Sequence, residues 1–250
     1  KGIPTDYEGE TDDKSDIGYF PGCIDYFDLF LDLDYKFHEI GNSTIELLNR
    51  SGIKPKILDL KCCGHDLLYQ GDIETFEKLK KYNTKKIEES GVKKIVLSCA
   101  ECYAIFKMNY KLDVEVLHIS ELLSENMKKF PEIKKRVTYH DPCRLGRYCG
   151  IYDEPRILIR NTGADLIEFD RSREKSQCCG ISAWMNCDDR AKALRVEKLE
   201  NVKKIGADVL ITTCPKCIAH LNCLKEEKDS EGRYDFEITD LTVFLAGGKK

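Results

Sequence analysis

Apolar residues in this chain follow two rhythms that alternate, and the alternation is written twice. Runs of strand length occupy residues 17–20, 56–60, 94–98 and 114–118, then residues 136–140, 165–169, 208–212 and 236–239. Between them the spacing turns helical. Ile40, Ile45, Leu47 and Leu48 share a face that ends before Gly52, and Ile157, Leu158 and the residues up to Asn161 repeat this before Gly163. Residues 72–90 and 188–205 predict long, charged, amphipathic helices stopped by Gly91 and Gly206, and residues 120–123 and 241–244 predict a short closing pair. Pro21 and Pro142 interrupt the opening strand of each copy. Strand alternating with helix at this spacing predicts an α/β fold in two halves, each a mainly parallel sheet with flanking helices. Residues 1–16, polar and acidic with Pro4, read as a linker; residues 17–135 and 136–250 read as two domains. The chain starts at Lys1 without a methionine, so it is expected to be part of something longer upstream.

Composition narrows the class. Among 250 residues, 42% are apolar and 34% charged, which suits a globular protein with a real core. Forty Lys and Arg against 44 Asp and Glu leave a net charge of −4, with both signs interspersed. No basic face stands out, so no nucleic-acid partner is expected. Apolar runs such as residues 95–97 and 209–211 fall far short of the roughly 18 residues a membrane span needs, and nothing resembles a signal peptide. A cytoplasmic location is the expectation. Thiols stay reduced there, so the thirteen cysteines are expected to be ligands and not disulfides. Neighbours such as Cys62 and Cys63 would also form a strained bridge.

Ten of the thirteen fall into one pattern used twice. The first set is Cys23, Cys62, Cys63, Cys99 and Cys102, spaced C-x38-CCG and CC-x35-CxxC. The second is Cys143, Cys178, Cys179, Cys214 and Cys217, spaced C-x34-CCG and CC-x34-CxxC. Every group stands where a predicted strand gives way to a helix. In a parallel sheet ligands bind beyond the carboxyl ends of the strands, so cysteines distant in sequence are expected to meet there. Structural zinc takes four ligands, and five thiols per half argue for a centre with several irons. The ferredoxin run C-x2-C-x2-C-x3-C-P is absent. Gly64 and Gly180 allow close backbone approach to a bulky group, and the following helix N-termini would present N–H groups to an anionic one.

The doubled C-x(n)-CCG-x(n)-CxxC framework resembles the cysteine-rich CCG-domain family over nearly the whole chain. That family includes heterodisulfide reductase catalytic subunits, methanogen-type fumarate reductase subunits, and iron–sulfur subunits of lactate-utilisation and glycerol-3-phosphate dehydrogenase systems. Residues 139–146 (YHDPCRLG) and 99–103 (CAECY) look most like the heterodisulfide reductase branch. The resemblance implies two pseudo-symmetric, Rossmann-like CCG domains and two noncubane 4Fe-4S clusters. One cluster would be held by Cys23, Cys62, Cys63, Cys99 and Cys102, the other by Cys143, Cys178, Cys179, Cys214 and Cys217. Zinc in the first set is the alternative. It further implies reduction of a small disulfide, such as coenzyme M–coenzyme B, between the clusters. Electrons would come from ferredoxin-type iron–sulfur and flavin subunits, since the chain shows no GxGxxG or Walker A loop of its own. A non-catalytic electron-transfer subunit of a dehydrogenase or fumarate reductase complex is the competing reading.

Several residues stand outside the framework. After the second CCG the run Ile181-Ser182-Ala183-Trp184-Met185-Asn186-Cys187 replaces a glycine-rich stretch, and Trp184 and Met185 are expected either to shape the pocket or to pack in the core. Cys149, Cys187 and Cys223 read as ordinary cysteines. His140 and His65 are candidates for hydrogen bonding to a cluster or for proton donation, against a plain structural role; His38, His118 and His220 read as structural. Residues 24–35, rich in aromatics and Asp, read as a packed loop or helix entrance, with a docking surface as the alternative.

Overall fold

Two all-parallel sheets, one per half, account for the strands of this computed structural model, which describes residues 6–127, 129–181, 183 and 187–247. The first comprises β1 (Ile17–Phe20), β2 (Lys56–Ile57), β3 (Lys94–Leu97) and β4 (Glu115–His118) in the order β2-β1-β3-β4. The second comprises β5 (Arg136–Tyr139), β6 (Asp165–Leu166), β7 (Val209–Thr212) and β8 (Glu237–Asp240) in the order β6-β5-β7-β8. Both orders are doubly wound, with the chain reversing direction across the sheet after its second strand. Helices cover both faces, which is why β3 and β7 are continuous apolar runs. The second strand of each half is shorter than its apolar run. Leu58 and Ile167 still donate to Tyr19 and Val137, and then the chain leaves the sheet toward the CCG.

The helices are α1 (Ile24–Phe30), α2 (His38–Arg50), α3 (His65–Gln70), α4 (Ile73–Ser90), α5 (Ala100–Asn109), α6 (Ile119–Asn126), α7 (Asp153–Asn161), α8 (Asp189–Ile205), α9 (Pro215–Lys225) and α10 (Leu241–Leu245). The long pair begins alike: Asp72 caps α4 by accepting from Thr75 N at 3.1 Å, and Asp188 caps α8 by accepting from Ala191 N at 2.8 Å. Two short helices, α1 and α3, had no periodicity to announce them.

The halves share one interior. Helix α6 packs on α7 of the other half, and their counterparts α10 and α2 pack on each other, the reciprocity expected of a two-fold axis. Leu47, Leu48, Ile119 and Leu123 of the first half interlock there with Leu158, Ile159, Leu241 and Leu245 of the second. The symmetry extends to polar pairs. Tyr19 bonds Ser98 at 2.9 Å, and Tyr139 bonds Thr213 at 3.2 Å. The segment before β1 is also engaged: Tyr7 is buried against α2, and its hydroxyl donates to Asp25 at 2.5 Å.

One ion network fixes the turn that leads to Cys143. The Arg156 side chain is wholly buried and uses all five N–H donors, on Asp141 (2.7 and 2.9 Å), Glu168 (2.7 and 2.9 Å) and Tyr152 O (2.7 Å). Asp141 also accepts from Arg173 N at 2.8 Å, so the residues before Pro142 are tied from two sides. Removing the cation leaves the buried Asp141 carboxylate uncompensated. Arg156→Met is expected to cost about 3–5 kcal/mol in urea unfolding.

The last helix of each half is capped from the same place by different chemistry. His118 Nδ1 accepts from Ser120 N at 3.2 Å, and Asp240 Oδ1 accepts from Thr242 N at 2.7 Å. Burial pushes Asp240 up to about 7. Between its unfolded value near pH 4 and pH 7 the folded chain therefore holds a proton that the unfolded chain releases, and stability falls as pH rises through that window. Asn keeps the cap without titrating. Relative to the native chain, Asp240→Asn should gain roughly 1–4 kcal/mol of stability between pH 4 and pH 8, read from urea midpoints at both values.

Candidate metal centre

The strand order brings the cysteines together. In the first sheet β2, β1 and β3 are adjacent and parallel, and each of the three cysteine groups follows the carboxyl end of one of them. Cys23 is the N-cap of α1, Cys62 and Cys63 precede Gly64 at the start of α3, and Cys99 caps α5 with Cys102 in its first turn. The second sheet repeats this through β6, β5 and β7, with Cys214 capping α9 and Cys217 in its first turn. All thirteen cysteines are free thiols.

Each set of five lines a single cavity: about 460 Å³ for Cys23, Cys62, Cys63, Cys99 and Cys102, and about 350 Å³ for Cys143, Cys178, Cys179, Cys214 and Cys217. Cys23 and Cys62 stand 3.9 Å apart, Cys179 and Cys217 3.1 Å. Gly64 (φ +86°) and Gly180 (φ +93°) turn their N–H groups onto Cys62 and Cys178, both at 3.4 Å. A side chain is excluded at both: a Cβ on Gly64 would meet Phe76 at 2.6 Å, and one on Gly180 the Ala191 carbonyl at 3.2 Å. Hydrogen bonds from Cys23, Cys63 and the Gly64 amide bring the Cys62 thiol down to about 3. Cys178 is likewise lowered, by Cys143, Cys179 and the Gly180 amide, while Cys23 and Cys143, the donors, are raised. Each nest therefore favours one thiolate, the form that binds metal.

A charged network that spacing had not shown lies between the cavities. Glu101 lines both of them. Glu101 and Lys216 hold the same place in the two CxxC motifs, and they meet across the pseudo-dyad at 3.3 Å. Lys216 also pairs with Asp66 and donates to Ala183 O at 2.8 Å. His65 Nδ1 lies 3.0 Å from Asp66 and 3.6 Å from Glu101, and Nε2 accepts from Arg144 Nε at 3.1 Å, so the ring carries its proton on Nδ1. Burial raises Glu101, although His65 and Lys216 oppose it. Arg144 is sandwiched between Tyr69 (3.6 Å) and Tyr148 (4.4 Å), with Nη1 buried and without a partner among the described residues. Opposite charges at matching motif positions were the one sequence signal for the Glu101–Lys216 pair.

The remaining candidates separate. His140 is buried at the second nest, with a ring nitrogen within 4.8 Å of the Cys179 and Cys217 sulfurs. His38 bonds Asp25 at 2.7 Å, His118 is a cap lowered to about 3 by burial, and burial lowers His220 to about 4. Cys149 is half-buried and raised to about 11 by burial, Cys223 is half-buried, and Cys187 is exposed. Ile181 and Ala183 line the second cavity; Ser182, Trp184, Met185 and Asn186 lie outside the described residues. Residues 24–30 do form a helix, with Leu29 and Phe30 exposed and Phe30 lining the first cavity.

Comparison with known proteins agrees with the duplication. One component of the dihydromethanophenazine:CoB–CoM heterodisulfide reductase of Methanosarcina acetivorans is 31% identical over 94% of this chain and 59% of its own length. One component of the fumarate reductase (CoM/CoB) of Methanothermobacter marburgensis is 30% identical over 92% of this chain and 46% of its own. The chain thus spans about half the length of these curated relatives. Among solved structures, Picrophilus torridus aspartate racemase aligns over 92% of this chain and 90% of its own at 13% identity, with a TM-score of 0.39, too slight a likeness to bear on function. The cysteine-rich domain (CCG) matches residues 17–107 and again 137–222, once in each half around each set of five thiols, and the chain belongs to that family.

Proposed function

We propose that this chain is the disulfide-reducing part of an iron–sulfur oxidoreductase of the heterodisulfide reductase type. The observation that carries this is a pair of complete five-thiol nests whose cavities share Glu101 in their walls. The donor set fits a multi-iron group: five sulfurs exceed the tetrahedron of zinc, and amide N–H groups point at one sulfur of each nest. Cys23, Cys62, Cys63, Cys99 and Cys102 would hold one noncubane 4Fe-4S cluster, and Cys143, Cys178, Cys179, Cys214 and Cys217 the other. Bound there, the clusters supply the two electrons that splitting a disulfide requires.

The chain's own residues select and orient the substrate. Arg144 and Arg147 line the second cavity and suit an anionic end, whereas Tyr26, Phe27, Phe30 and Leu31 make the first cavity apolar and suit a hydrocarbon arm. An asymmetric disulfide such as coenzyme M–coenzyme B fits both descriptions. The Glu101–Lys216 pair between them keeps opposite charges balanced where the two substrate halves would meet. Electrons would reach the site from partner iron–sulfur and flavin subunits. The likeness to part of a fumarate reductase supports a second reading, a relay that passes electrons without touching a disulfide.

Anaerobically purified chain is expected to contain iron and acid-labile sulfide, with both falling by roughly half in Cys63→Ser/Cys102→Ser. Zinc without sulfide in the first nest would instead limit the redox site to the second. With a reduced artificial donor, turnover of the coenzyme M–coenzyme B disulfide is expected; cluster reduction without turnover would favour the relay. Loss of one charge-assisted hydrogen bond should make Arg144→Met raise KM for an anionic disulfide by roughly 10- to 100-fold, with kcat changed less.

A further inference from the structure

The nests match in cysteine spacing and differ in what stands behind them. Three residues before Cys143 is His140; three residues before Cys23 the same place holds Phe20. His140 is 1% exposed, one ring nitrogen lies within 4.8 Å of both the Cys179 and Cys217 sulfurs, and Nδ1 is buried without a hydrogen-bond partner among the described residues. Lys198 of α8, also 1% exposed, holds its ammonium 4.5 Å over the Phe169 ring and lines the same small cavity as Gln177, the residue before Cys178. Arg144 and Arg147 add positive charge on the cavity side, two cations against the Glu101 carboxylate in the same lining.

The first nest has a histidine too, but His65 lines its cavity with both ring nitrogens engaged, Nδ1 3.0 Å from Asp66 and Nε2 accepting from Arg144. Phe20, Phe76, Phe106 and Tyr110 pack around this nest. The polar groups there, Asn83 and the Tyr110 hydroxyl, are neutral and bond the Cys62 and Cys63 carbonyls at 3.1 Å. The cation lining its cavity, Lys216, is matched by two carboxylates, Asp66 and Glu101.

An iron–sulfur centre gains negative charge when reduced. N–H donors aimed at its sulfurs and nearby uncompensated cations therefore stabilise the reduced form and raise the potential. We propose that His140 and Lys198 make the second nest the seat of the higher-potential centre, the one that takes the first electron, and leave the first nest as the low-potential centre. The inference rests on the reading that both nests hold iron–sulfur clusters. The step is electron transfer alone: an external one-electron reductant is oxidised, the centre in the second nest gains one negative charge, and no bond is made or broken. Both are positioning residues, His140 acting through Cys179 and Cys217 and Lys198 through its charge in the wall behind Cys178.

The test is a potentiometric titration of the full cluster-loaded chain with a low-potential chemical reductant, followed by EPR and visible absorbance. Two separate midpoints are expected, the upper one lost in Cys217→Ser and the lower one in Cys102→Ser. His140→Phe, which installs the residue of the first half, should lower the upper midpoint and leave the lower in place. Lys198→Met should do the same, and His140→Gln, which keeps an N–H donor, should retain most of the upper value. A single midpoint, an upper midpoint that follows the first nest, or an upper midpoint indifferent to both substitutions overturns the proposal. Should His140→Phe fail to load iron, Lys198→Met decides alone. A native chain without iron and sulfide would bring down the underlying reading; a loaded chain with unmoved midpoints brings down only this inference.

Discussion

Adjacency of three parallel strand ends is the constraint on which the rest depends. The register of β1 with β2 and with β3 sets three chain exits side by side at one edge of the sheet. A cysteine group at each exit then has its partners within reach, however far apart they lie in sequence. An antiparallel sheet would send alternate exits to opposite edges and no nest would form. The glycines complete the arrangement, since only a residue without a Cβ holds a positive φ so close to Phe76 and to the Ala191 carbonyl.

Duplication places equivalent residues against each other at the pseudo-dyad, and there the copies have diverged in complementary ways. Two glutamates or two lysines at the matching CxxC positions would repel in a buried setting; Glu101 and Lys216 attract. Ala100 N donates to Thr213 O across the axis at 3.0 Å, while Pro215, its counterpart, has no N–H to return the bond. Identical scaffolds thus enclose unlike surroundings, one aromatic and one cationic.

Some of the buried polar atoms without partners among the described residues lie near this site. His140 Nδ1 and Arg144 Nη1 both belong to residues at the second nest, and His220 Nε2 comes from α9, the helix that Cys214 caps. Desolvating such groups is costly unless something accepts their hydrogen bonds. Arg156, behind the turn that leads to Cys143, shows the opposite case, with five donors satisfied by three partners.

Local periodicity and cysteine spacing were enough to determine the alternating elements, the doubling, and the ten thiols that gather in two nests, because each is recorded within a few turns or strands of chain. The bounds of α1 and the separate helix α3 were not legible, since seven and six residues are too few to show a repeating face. The ends of β2 and β6 were overrun because residues 58–60 and 167–169 stay largely apolar after they leave the ladder. Only the tertiary structure decided that Glu101 meets Lys216, that His65 links Asp66 to Arg144, and that His140 stands against the Cys179 and Cys217 sulfurs. Those contacts depend on how two halves close about an axis, and no stretch of sequence by itself encodes that closure.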